Sequence, residues 1–379
     1  MAQIMVVGGG FGGIVAAQSL RQAVGPTHDI TLMAPTDRFD FRAAFPLVAL
    51  GQVQPEAIQL SLAALCQKAG FRFVEARLER IDPERRMIHS AETSGSYDYL
   101  VLALGARFAY EKIPGLRDHG YSLETLDMAL DLRRAIDAFR GGTFVAGVAP
   151  NSPCEGPALE MVFQFERALR RRGLRDRTTV HYITAKPVPF AAGGPVVQAF
   201  VADQLKNAEI HLHVNRHITE IGASHVTFAE GSPMESQLTF LIPAYAGPMA
   251  LMGSGLNADG GFMAVDDHLR SPEYPNIYAT GDMVQLAGPK MAHNAMRGAK
   301  VIAQNVAQAL RTEPVSNPFA PEVLCIMEMG DQEAAYIEAD TIFGGERSQV
   351  PLQGPVAAFM KEAFRDYFLQ HQGDIEYIL

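Results

Sequence analysis

The chain has 379 residues, which is too long for one ordinary domain and predicts about two or three. Hydrophobic residues make up 48% and charged residues 20%, so the chain has enough apolar material for a folded core. A net charge of −10 argues against a nucleic-acid surface, and three widely separated cysteines exclude a disulfide framework and a zinc ribbon.

The N-terminus predicts no signal peptide, because a strand-like segment follows Met1 with no basic stretch and no cleavage site. No uncharged apolar run reaches about 18 residues, so no transmembrane helix is predicted. We therefore expect a cytoplasmic protein or one bound peripherally to a membrane surface.

Strands and helices alternate in two parts of the chain. The first has a strand at 4–7, a helix at 13–23 and a strand at 29–33. The second has a strand at 143–148, a helix at 157–172 and a strand at 179–184. This order predicts an α/β fold with two doubly wound, Rossmann-like units.

A GxGxxG motif follows the first predicted strand directly. Gly8 allows a tight turn, Gly10 lets a pyrophosphate approach the backbone, and Gly13 lets the helix pack on the strand. The motif predicts a dinucleotide site. The second strand ends at Ala34, where an acidic residue usually binds the ribose, which leaves Asp37 as a fallback for that contact.

Two further segments favour a flavin. Residues 97–105 end in Gly105 and resemble the AspTyrLeuValIleAlaThrGly strand of the flavoproteins that have two dinucleotide-binding domains. Residues 276–282 end in Gly281-Asp282 and resemble the second FAD fingerprint of the same superfamily, in which the aspartate binds the ribityl chain. The resemblance implies FAD as the cofactor.

The corresponding turn of the second unit, residues 147–157, has lost the glycine pattern. Pro153 and Pro157 stand where a nicotinamide nucleotide would need close backbone approach, so NAD(P)H is expected to bind poorly. Cys154 lies at the start of a predicted helix, where the helix N-terminus is expected to lower its pKa. The alternative is a small buried cysteine.

Four segments resemble the sulfide:quinone oxidoreductases and the flavocytochrome c sulfide dehydrogenases. Residues 154–160 are similar to CysPheGlyProAlaTyrGlu, and residues 324–331 are similar to a segment with a second redox cysteine, Cys325. Residues 288–290, which end in Lys290, are similar to a ProLysThrGly segment near the flavin. Residues 359–369 are similar to the last helix of the quinone-reducing members, so the resemblance extends from residue 3 to about residue 370.

The resemblance implies a redox pair made of Cys154 and Cys325. Cys325 would be the sulfur nearer the flavin, and Cys154 would carry the growing sulfur chain. Glu160 matches a carboxylate proposed as the base, and its alternative is a solvated helix charge. Cys66 is expected to be a packing residue on the apolar side of a helix.

Several family positions differ in this chain. Met128 and Ala191 stand where some members have histidines near the sulfur site, and Glu124 stands near a third cysteine. Residues 39–46 contain no cysteine, where flavocytochrome members attach their flavin. We therefore expect noncovalent FAD and a different handling of protons.

The last predicted helix has an apolar stripe that starts at Val356. Family analogy implies that Phe364 contacts a quinone ring, that Lys361 lies near its carbonyl, and that the helix inserts shallowly in a bilayer. The alternative is a helix that only caps the flavin domain. His211, His213 and His217 suggest a metal site, but alternation along a short strand gives one pair and no third ligand, so structural roles are favoured.

The preferred hypothesis is FAD-dependent oxidation of sulfide to polysulfide or sulfur, with a quinone as the electron acceptor. The alternatives are transfer to a cytochrome, a type II NADH dehydrogenase, and a flavin-binding interaction protein without catalysis. The predicted domains are an FAD-binding domain of residues 1–110 and 245–312, a second Rossmann-like domain of residues 111–244, and a C-terminal segment of residues 313–379. Homo-oligomerisation stays open.

Overall fold

A computed structural model describes residues 1–375 of the chain. The helices of this part are α1 (Phe11–Val24), α2 (Phe45–Ala49), α3 (Leu62–Ala69), α4 (Leu116–His119), α5 (Leu126–Ala138), α6 (Gly156–Arg171), α7 (Gly194–Asn207), α8 (Ala292–Leu310) and α9 (Pro355–Gln370).

The strands in the first half of the chain are β1 (Gln3–Val7), β2 (Asp29–Ala34), β3 (Phe39–Asp40), β4 (Gln59–Leu60), β5 (Arg72–Glu75), β6 (Arg80–Asp82), β7 (Met87–His89), β8 (Ser94–Ser96), β9 (Tyr99–Leu102), β10 (Arg107–Phe108), β11 (Gly142–Val148) and β12 (Thr178–Ile183). Those in the second half are β13 (His211–His213), β14 (Ile218–Ile221), β15 (His225–Phe228), β16 (Met234–Glu235), β17 (Leu238–Ile242), β18 (Tyr245–Ala246), β19 (Ile277–Ala279), β20 (Val323–Gly330), β21 (Glu333–Ala339) and β22 (Ser348–Gln353).

The first sheet is parallel and has the order β19-β9-β1-β2-β5. Apart from the edge strand β5, its strands are short apolar runs whose residues are almost all buried, as expected for a parallel sheet covered on its faces. Helices α1 and α8 pack against each other. The helix α1 follows β1 directly, so its N-terminus lies at the carboxyl end of the sheet, where α/β folds bind their ligands.

The second sheet is also parallel and has the order β13-β12-β11-β17. Helix α6 connects β11 to β12 and packs on both of them. The strands and helices expected in the two alternating regions are present within two residues of the predicted bounds, and the α/β class with two dinucleotide-binding folds is confirmed.

The C-terminal segment forms an antiparallel sheet of β20, β21 and β22 followed by α9. Strand β20 packs on α6 of the second unit, and α9 packs on β20 and β21. The segment therefore contacts the second unit through β20 and the first unit through Phe368 of α9, which packs on Phe11 and Phe39. The exact domain boundaries given above stay a prediction. No helix within residues 1–375 is long and apolar enough to cross a membrane.

Candidate active site

A cavity of about 950 Å³ lies where the two units and the C-terminal segment meet. It extends from the glycine turn after β1 to α9. The residues that the sequence proposed for the cofactor, for catalysis or for the quinone line it, except Gly13 and Asp37. The lining members of that set are Gly8, Gly10, Ala34, Gly105, Cys154, Glu160, Gly281, Asp282, Lys290, Cys325, Lys361 and Phe364.

The glycine turn has the geometry that a pyrophosphate needs. A Cβ on Gly8 would lie 2.1 Å from the carbonyl oxygen of Ala103, and a Cβ on Gly13 would lie 1.8 Å from that of Gly8. A Cβ on Gly10 would meet no protein atom within 4 Å, because Gly10 faces the cavity. The first turn of α1 has no side-chain cap, so its N–H groups are free to bind an anion.

The expectation that Asp37 could bind the ribose was wrong. The Asp37 carboxylate accepts hydrogen bonds from the Ala63 backbone N–H at 2.6 Å and from the Ser61 hydroxyl at 2.9 Å. It therefore holds the start of α3 and does not line the cavity. Ala34 does line the cavity, and the neighbouring Arg38 is a polar side chain there that the sequence analysis missed.

The flavin end of the cavity is formed by Gly105, Gly281 and Asp282. Gly281 has a φ of +78°, which favours glycine, and it turns the chain after β19. Desolvation raises the pKa of Asp282, while Lys290 and Arg42 oppose that shift. Lys290 donates a hydrogen bond from Nζ to the Val284 carbonyl oxygen at 2.5 Å, which fixes it beside this aspartate.

Cys154 and Cys325 come from different elements and line the same cavity. Cys154 lies in the turn before α6, Cys325 lies in β20, and both are half-buried free thiols. Burial raises the pKa of Cys154, to which Asp282 and then Cys325 add, and burial raises the pKa of Cys325 to about 12. The expected lowering of the Cys154 pKa was therefore wrong, because desolvation outweighs the backbone N–H of Gly156.

Glu160 is a buried member of a lysine–carboxylate cluster and not a solvated helix charge. We use this name for Glu160 of α6, Glu328 of β20 and Lys361 of α9. Lys361 Nζ lies 2.5 Å from Glu160 Oε1 and 3.2 Å from Glu328 Oε2. The Glu328 backbone N–H also donates to Glu160 Oε1 at 3.3 Å. No sequence pattern pointed to Glu328, because residues three apart on a strand lie on opposite faces of the sheet.

Burial and charge act in opposite directions within this cluster. Burial raises the pKa of Glu160 even though Lys361 lowers it, and the negative charge of Glu328 raises it further. Burial lowers the pKa of Lys361, but the charges of Glu160 and Glu328 outweigh that effect, and its pKa is raised. The Lys361 ammonium therefore faces two carboxylates. Its implied position near a quinone carbonyl stays a prediction.

Phe364 lines the cavity one helical turn beyond Lys361. It belongs to a phenylalanine cluster in which ring centroids lie 5.0 to 6.4 Å apart, and its own nearest partners are Phe41 and Phe368, each at 6.3 Å. The other members are Phe11 and Phe39. This cluster gives the α9 side of the cavity an apolar, aromatic wall.

The turn at 147–157 is occupied by the Glu155 side chain. Its carboxylate accepts backbone N–H bonds from Phe190 and Ala191, both at 3.0 Å, and pairs with Lys186 at 3.1 Å. The Tyr182 hydroxyl donates to it at 3.3 Å. A buried, fully paired carboxylate thus occupies the region where the second unit of a nicotinamide-binding relative needs open backbone.

The positions that differ from the family also have structural roles. Ala191 is one of the Glu155 partners, and Met128 Sδ lies 3.3 Å from the Tyr110 hydroxyl. Glu124 accepts the Phe108 backbone N–H at 3.1 Å. One cavity-lining histidine that the sequence analysis missed is His293, in the first turn of α8 and 3.2 Å from Glu322.

Cys66 is buried in α3, as expected. Among the other histidines, His181 and His213 lie on adjacent strands with their ring nitrogens 2.9 Å apart, and the His211 ring is 5.1 Å from that of His181. The described part of the chain has no group of three side chains arranged to hold a metal ion.

Two dinucleotide-binding folds that share one cavity, with the FAD fingerprints at one end, define a flavin-dependent oxidoreductase. The chain belongs to the pyridine nucleotide-disulphide oxidoreductase family, whose sequence profile matches residues 2–299. FAD is its cofactor, as the fingerprints predicted.

Individual relatives agree with this assignment. The chain is 27% identical to the sulfide-quinone reductase of Aquifex aeolicus over 97% of this chain and 90% of that protein. It is 23% identical to the mitochondrial sulfide:quinone oxidoreductase of Mus musculus over 76% of this chain and 67% of that protein. The X-ray structure of the sulfide:quinone oxidoreductase from Aquifex aeolicus matches with a TM-score of 0.92 at 26% identity, covering 98% and 92% of the two chains.

Proposed function

We propose that the protein is an FAD-dependent sulfide:quinone oxidoreductase, an enzyme that oxidises sulfide to polysulfide or sulfur and passes the electrons to a quinone. The observation that carries this proposal is the position of Cys154 and Cys325 on the cavity that holds the FAD fingerprints. A flavin-binding protein without catalysis would not need two thiols there. The similarity to two sulfide-oxidising enzymes supports the same substrate.

The two cysteines supply the sulfur chemistry. In the oxidised pair, joined directly or through sulfur, hydrosulfide attacks one sulfur, which leaves a persulfide on Cys154 and a thiolate on Cys325. Because burial raises the pKa of both thiols, the site needs a base to hold the released proton. Glu160 serves as that base, since it lines the same cavity and its charge raises the pKa of Cys325 more than the charge of Glu328 does. Bound FAD supplies the two-electron acceptor, and no cysteine other than these two lines the cavity within residues 1–375, which favours noncovalent FAD.

The α9 side of the cavity fits a quinone as acceptor. Phe364 offers an aromatic face for a flat ring, and Lys361, one helical turn before it, lines the same cavity and is the cation that the resemblance implies for a quinone carbonyl oxygen. Val356 and Phe359 are 60% and 67% exposed at the outer end of α9, which suits contact with a membrane surface where quinones are dissolved. The paired Glu155 in the second turn disfavours NADH as the donor.

Anaerobic mixing of the purified holoenzyme with sulfide tests the proposal. The flavin absorbance should bleach in the wild type and should not bleach in Cys154→Ser or Cys325→Ser. Cys66→Ser is the control, since Cys66 is a free thiol that lies away from the cavity, and this variant should bleach normally. A wild-type protein that sulfide does not bleach would refute sulfide oxidation, and bleaching by NADH would favour an NADH dehydrogenase.

The acceptor is identified in the second half of the same experiment. A short-chain ubiquinone analogue should reoxidise the reduced flavin rapidly, and cytochrome c should not. Faster reoxidation by cytochrome c would replace the quinone with a cytochrome acceptor while leaving sulfide oxidation in place.

A further inference from the structure

Tyr245 and Cys154 follow neighbouring strands of the second sheet. Strands β11 and β17 pair in parallel with Val148 opposite Ile242, and the Ala149 backbone N–H donates to the Ile242 carbonyl oxygen at 3.0 Å just beyond the ladder. The chain then reaches Cys154 after one strand and Tyr245 after the other. Because the carboxyl ends of parallel strands meet at one edge of a sheet, both residues lie at the same edge, and both line the cavity.

The ring of Tyr245 is held in place by its neighbours. Tyr245 belongs to β18, which pairs with β10 and places it opposite Phe108. The two rings stack with their centroids 4.8 Å apart and an angle of 23° between their planes. The Phe108 backbone N–H in turn donates to the Glu124 carboxylate at 3.1 Å. Backbone pairing and stacking therefore fix where the Tyr245 hydroxyl lies.

The Tyr245 hydroxyl has no protein partner. It forms no hydrogen bond with any residue between 1 and 375. The hydroxyls of Tyr97 and Tyr278 also lack partners, but protein encloses both of them. Tyr245 is only half-buried and lines the cavity, so its hydroxyl reaches open space there. A tyrosine hydroxyl in such a position usually binds a partner, which points to a ligand in the cavity.

The charges around this hydroxyl place it beside the sulfur site. Burial raises the pKa of Tyr245 well above its ordinary value, and among the charged groups Cys154 contributes most, ahead of Asp282. Arg42 and Glu124 act more weakly and in opposite directions. The hydroxyl therefore keeps its proton and is available as a hydrogen-bond donor.

An anionic sulfur at Cys154 receives little support from the groups already described. Burial raises the pKa of Cys154, and the negative charges of Asp282, Cys325 and Glu155 raise it further. The backbone N–H of Gly156 opposes them. A neutral donor that faces the cavity would stabilise the anion without placing another charge in the site.

We propose that Tyr245 is a substrate-binding residue of the sulfur site, whose hydroxyl donates a hydrogen bond to the anionic sulfur held at Cys154. The proposal rests on the proposed function, in which that sulfur is a thiolate before sulfide binds and a persulfide afterwards. Tyr245 retains its own proton throughout, so its role is separate from that of the base.

Two variants separate a hydrogen bond from packing by the ring. Tyr245→Phe removes the hydroxyl and keeps the stacked ring. Tyr110→Phe is the matched control, because the Tyr110 ring lies 5.9 Å from the ring of the same phenylalanine and does not line the cavity. Neither change should alter the melting temperature of the holoenzyme by more than a few degrees.

The first measurement uses no sulfide. Both changes are made in a Cys325→Ser background, which leaves Cys154 as the one cysteine on the cavity wall within residues 1–375. The reduced holoenzyme is treated anaerobically with iodoacetamide, which reacts with the thiolate, and mass spectrometry follows the peptide that contains Cys154. Tyr245→Phe should lower the alkylation rate about tenfold, as expected for a lost hydrogen bond to an anion. Tyr110→Phe should change it by less than about twofold.

An alkylation rate that is unchanged or higher in Tyr245→Phe would overturn the proposal, because the ring alone would then account for the position. An equal fall in both variants would overturn it as well, since the effect would not belong to this hydroxyl.

The second measurement follows sulfide in holoenzyme that retains both cysteines. Tyr245→Phe should need about tenfold more sulfide than the wild type for the same rate of flavin bleaching, and Tyr110→Phe should need the same amount. Wild-type bleaching in Tyr245→Phe would overturn the proposal. A wild type that sulfide does not bleach would refute the proposed function instead, and the alkylation rates distinguish the two failures because they involve no sulfide.

Discussion

At the scale of single residues, the same residue type performs different tasks according to the backbone around it. Gly8 and Gly13 are required because a Cβ would strike backbone oxygen atoms at 2.1 and 1.8 Å. Gly10 is required only by what occupies the cavity, since a Cβ there would meet nothing within 4 Å. The GxGxxG motif therefore combines two folding constraints with one binding constraint.

This distinction predicts different outcomes for two alanine substitutions. Gly13→Ala should lower the free energy of unfolding by about 1–3 kcal/mol, because the methyl group overpacks the turn. Gly10→Ala should change the unfolding of the FAD-free protein by less than about 0.5 kcal/mol but weaken FAD binding, since its methyl group enters the pyrophosphate position. Urea unfolding and FAD titration measure the two effects, and equal loss of stability in both variants would contradict the assignment.

The histidines of the second sheet make a pH prediction at the same scale. Burial, with His213 and then His211 beside it, lowers the pKa of His181 from 6.5 to about 4. The unfolded chain therefore binds a proton at higher pH than the folded chain does, and stability should fall as the pH drops from about 6.5 to about 4.

Urea unfolding at neutral and acidic pH tests this linkage. His181→Gln should lose less stability on acidification than the wild type does. The exposed His217 is the matched control, and His217→Gln should retain the wild-type dependence on pH. An unchanged acid sensitivity in His181→Gln would remove His181 from the explanation.

At the scale of elements, α9 shows how one helix serves two surroundings. The predicted apolar stripe is divided in the structure. Ala357 and Phe368 are buried, whereas Val356 and Phe359 are exposed near the N-terminal end. Phe368 packs against four other rings of the phenylalanine cluster, so the C-terminal half of the helix closes the flavin domain. The exposed half remains available to a membrane surface.

Two substitutions on α9 should therefore behave oppositely. Phe368→Ala should lower the free energy of unfolding by about 3–5 kcal/mol, because it opens a cavity among buried rings. Phe359→Ala should change it by less than about 0.5 kcal/mol and should weaken sedimentation with anionic lipid vesicles. Strong destabilisation by Phe359→Ala would mean that this side chain packs on the protein, contrary to its 67% exposure.

At the scale of the whole molecule, the cavity lies between parts of the chain that belong to different sheets. Its wall combines the carboxyl end of the first sheet, the turn before α6 and the C-terminal segment. A ligand bound there contacts all three, so its binding free energy contributes to holding them together. FAD is thus expected to stabilise the molecule and not only to equip it for redox chemistry.

Removal of FAD should lower the melting temperature, and added FAD should restore it in a concentration-dependent way. At free FAD of about 100 times Kd, the gain in unfolding free energy should be about 2.7 kcal/mol. Differential scanning calorimetry over a series of FAD concentrations measures this gain. Unfolding independent of FAD concentration would show that the cofactor does not bind the folded state preferentially.

Short-range patterns in the sequence determined the α/β class, the two alternating units and the glycine turn. These features depend on residues that are close along the chain, so hydrophobic periodicity and glycine spacing predict them. Family resemblance added the expected roles of Cys154, Cys325 and Glu160, which no local pattern would supply.

Only the tertiary structure decided the electrostatics of the site. The Lys361 ammonium meets Glu160 across 201 positions of sequence, and Glu328 joins them from a third element. The pKa of Cys154 depends on burial by distant segments, so the local expectation from its helix N-terminus had the wrong sign. Asp37 likewise caps α3 through Ser61 and Ala63. Burial and long-range charge pairing arise from packing, and a linear sequence does not encode them at any fixed spacing.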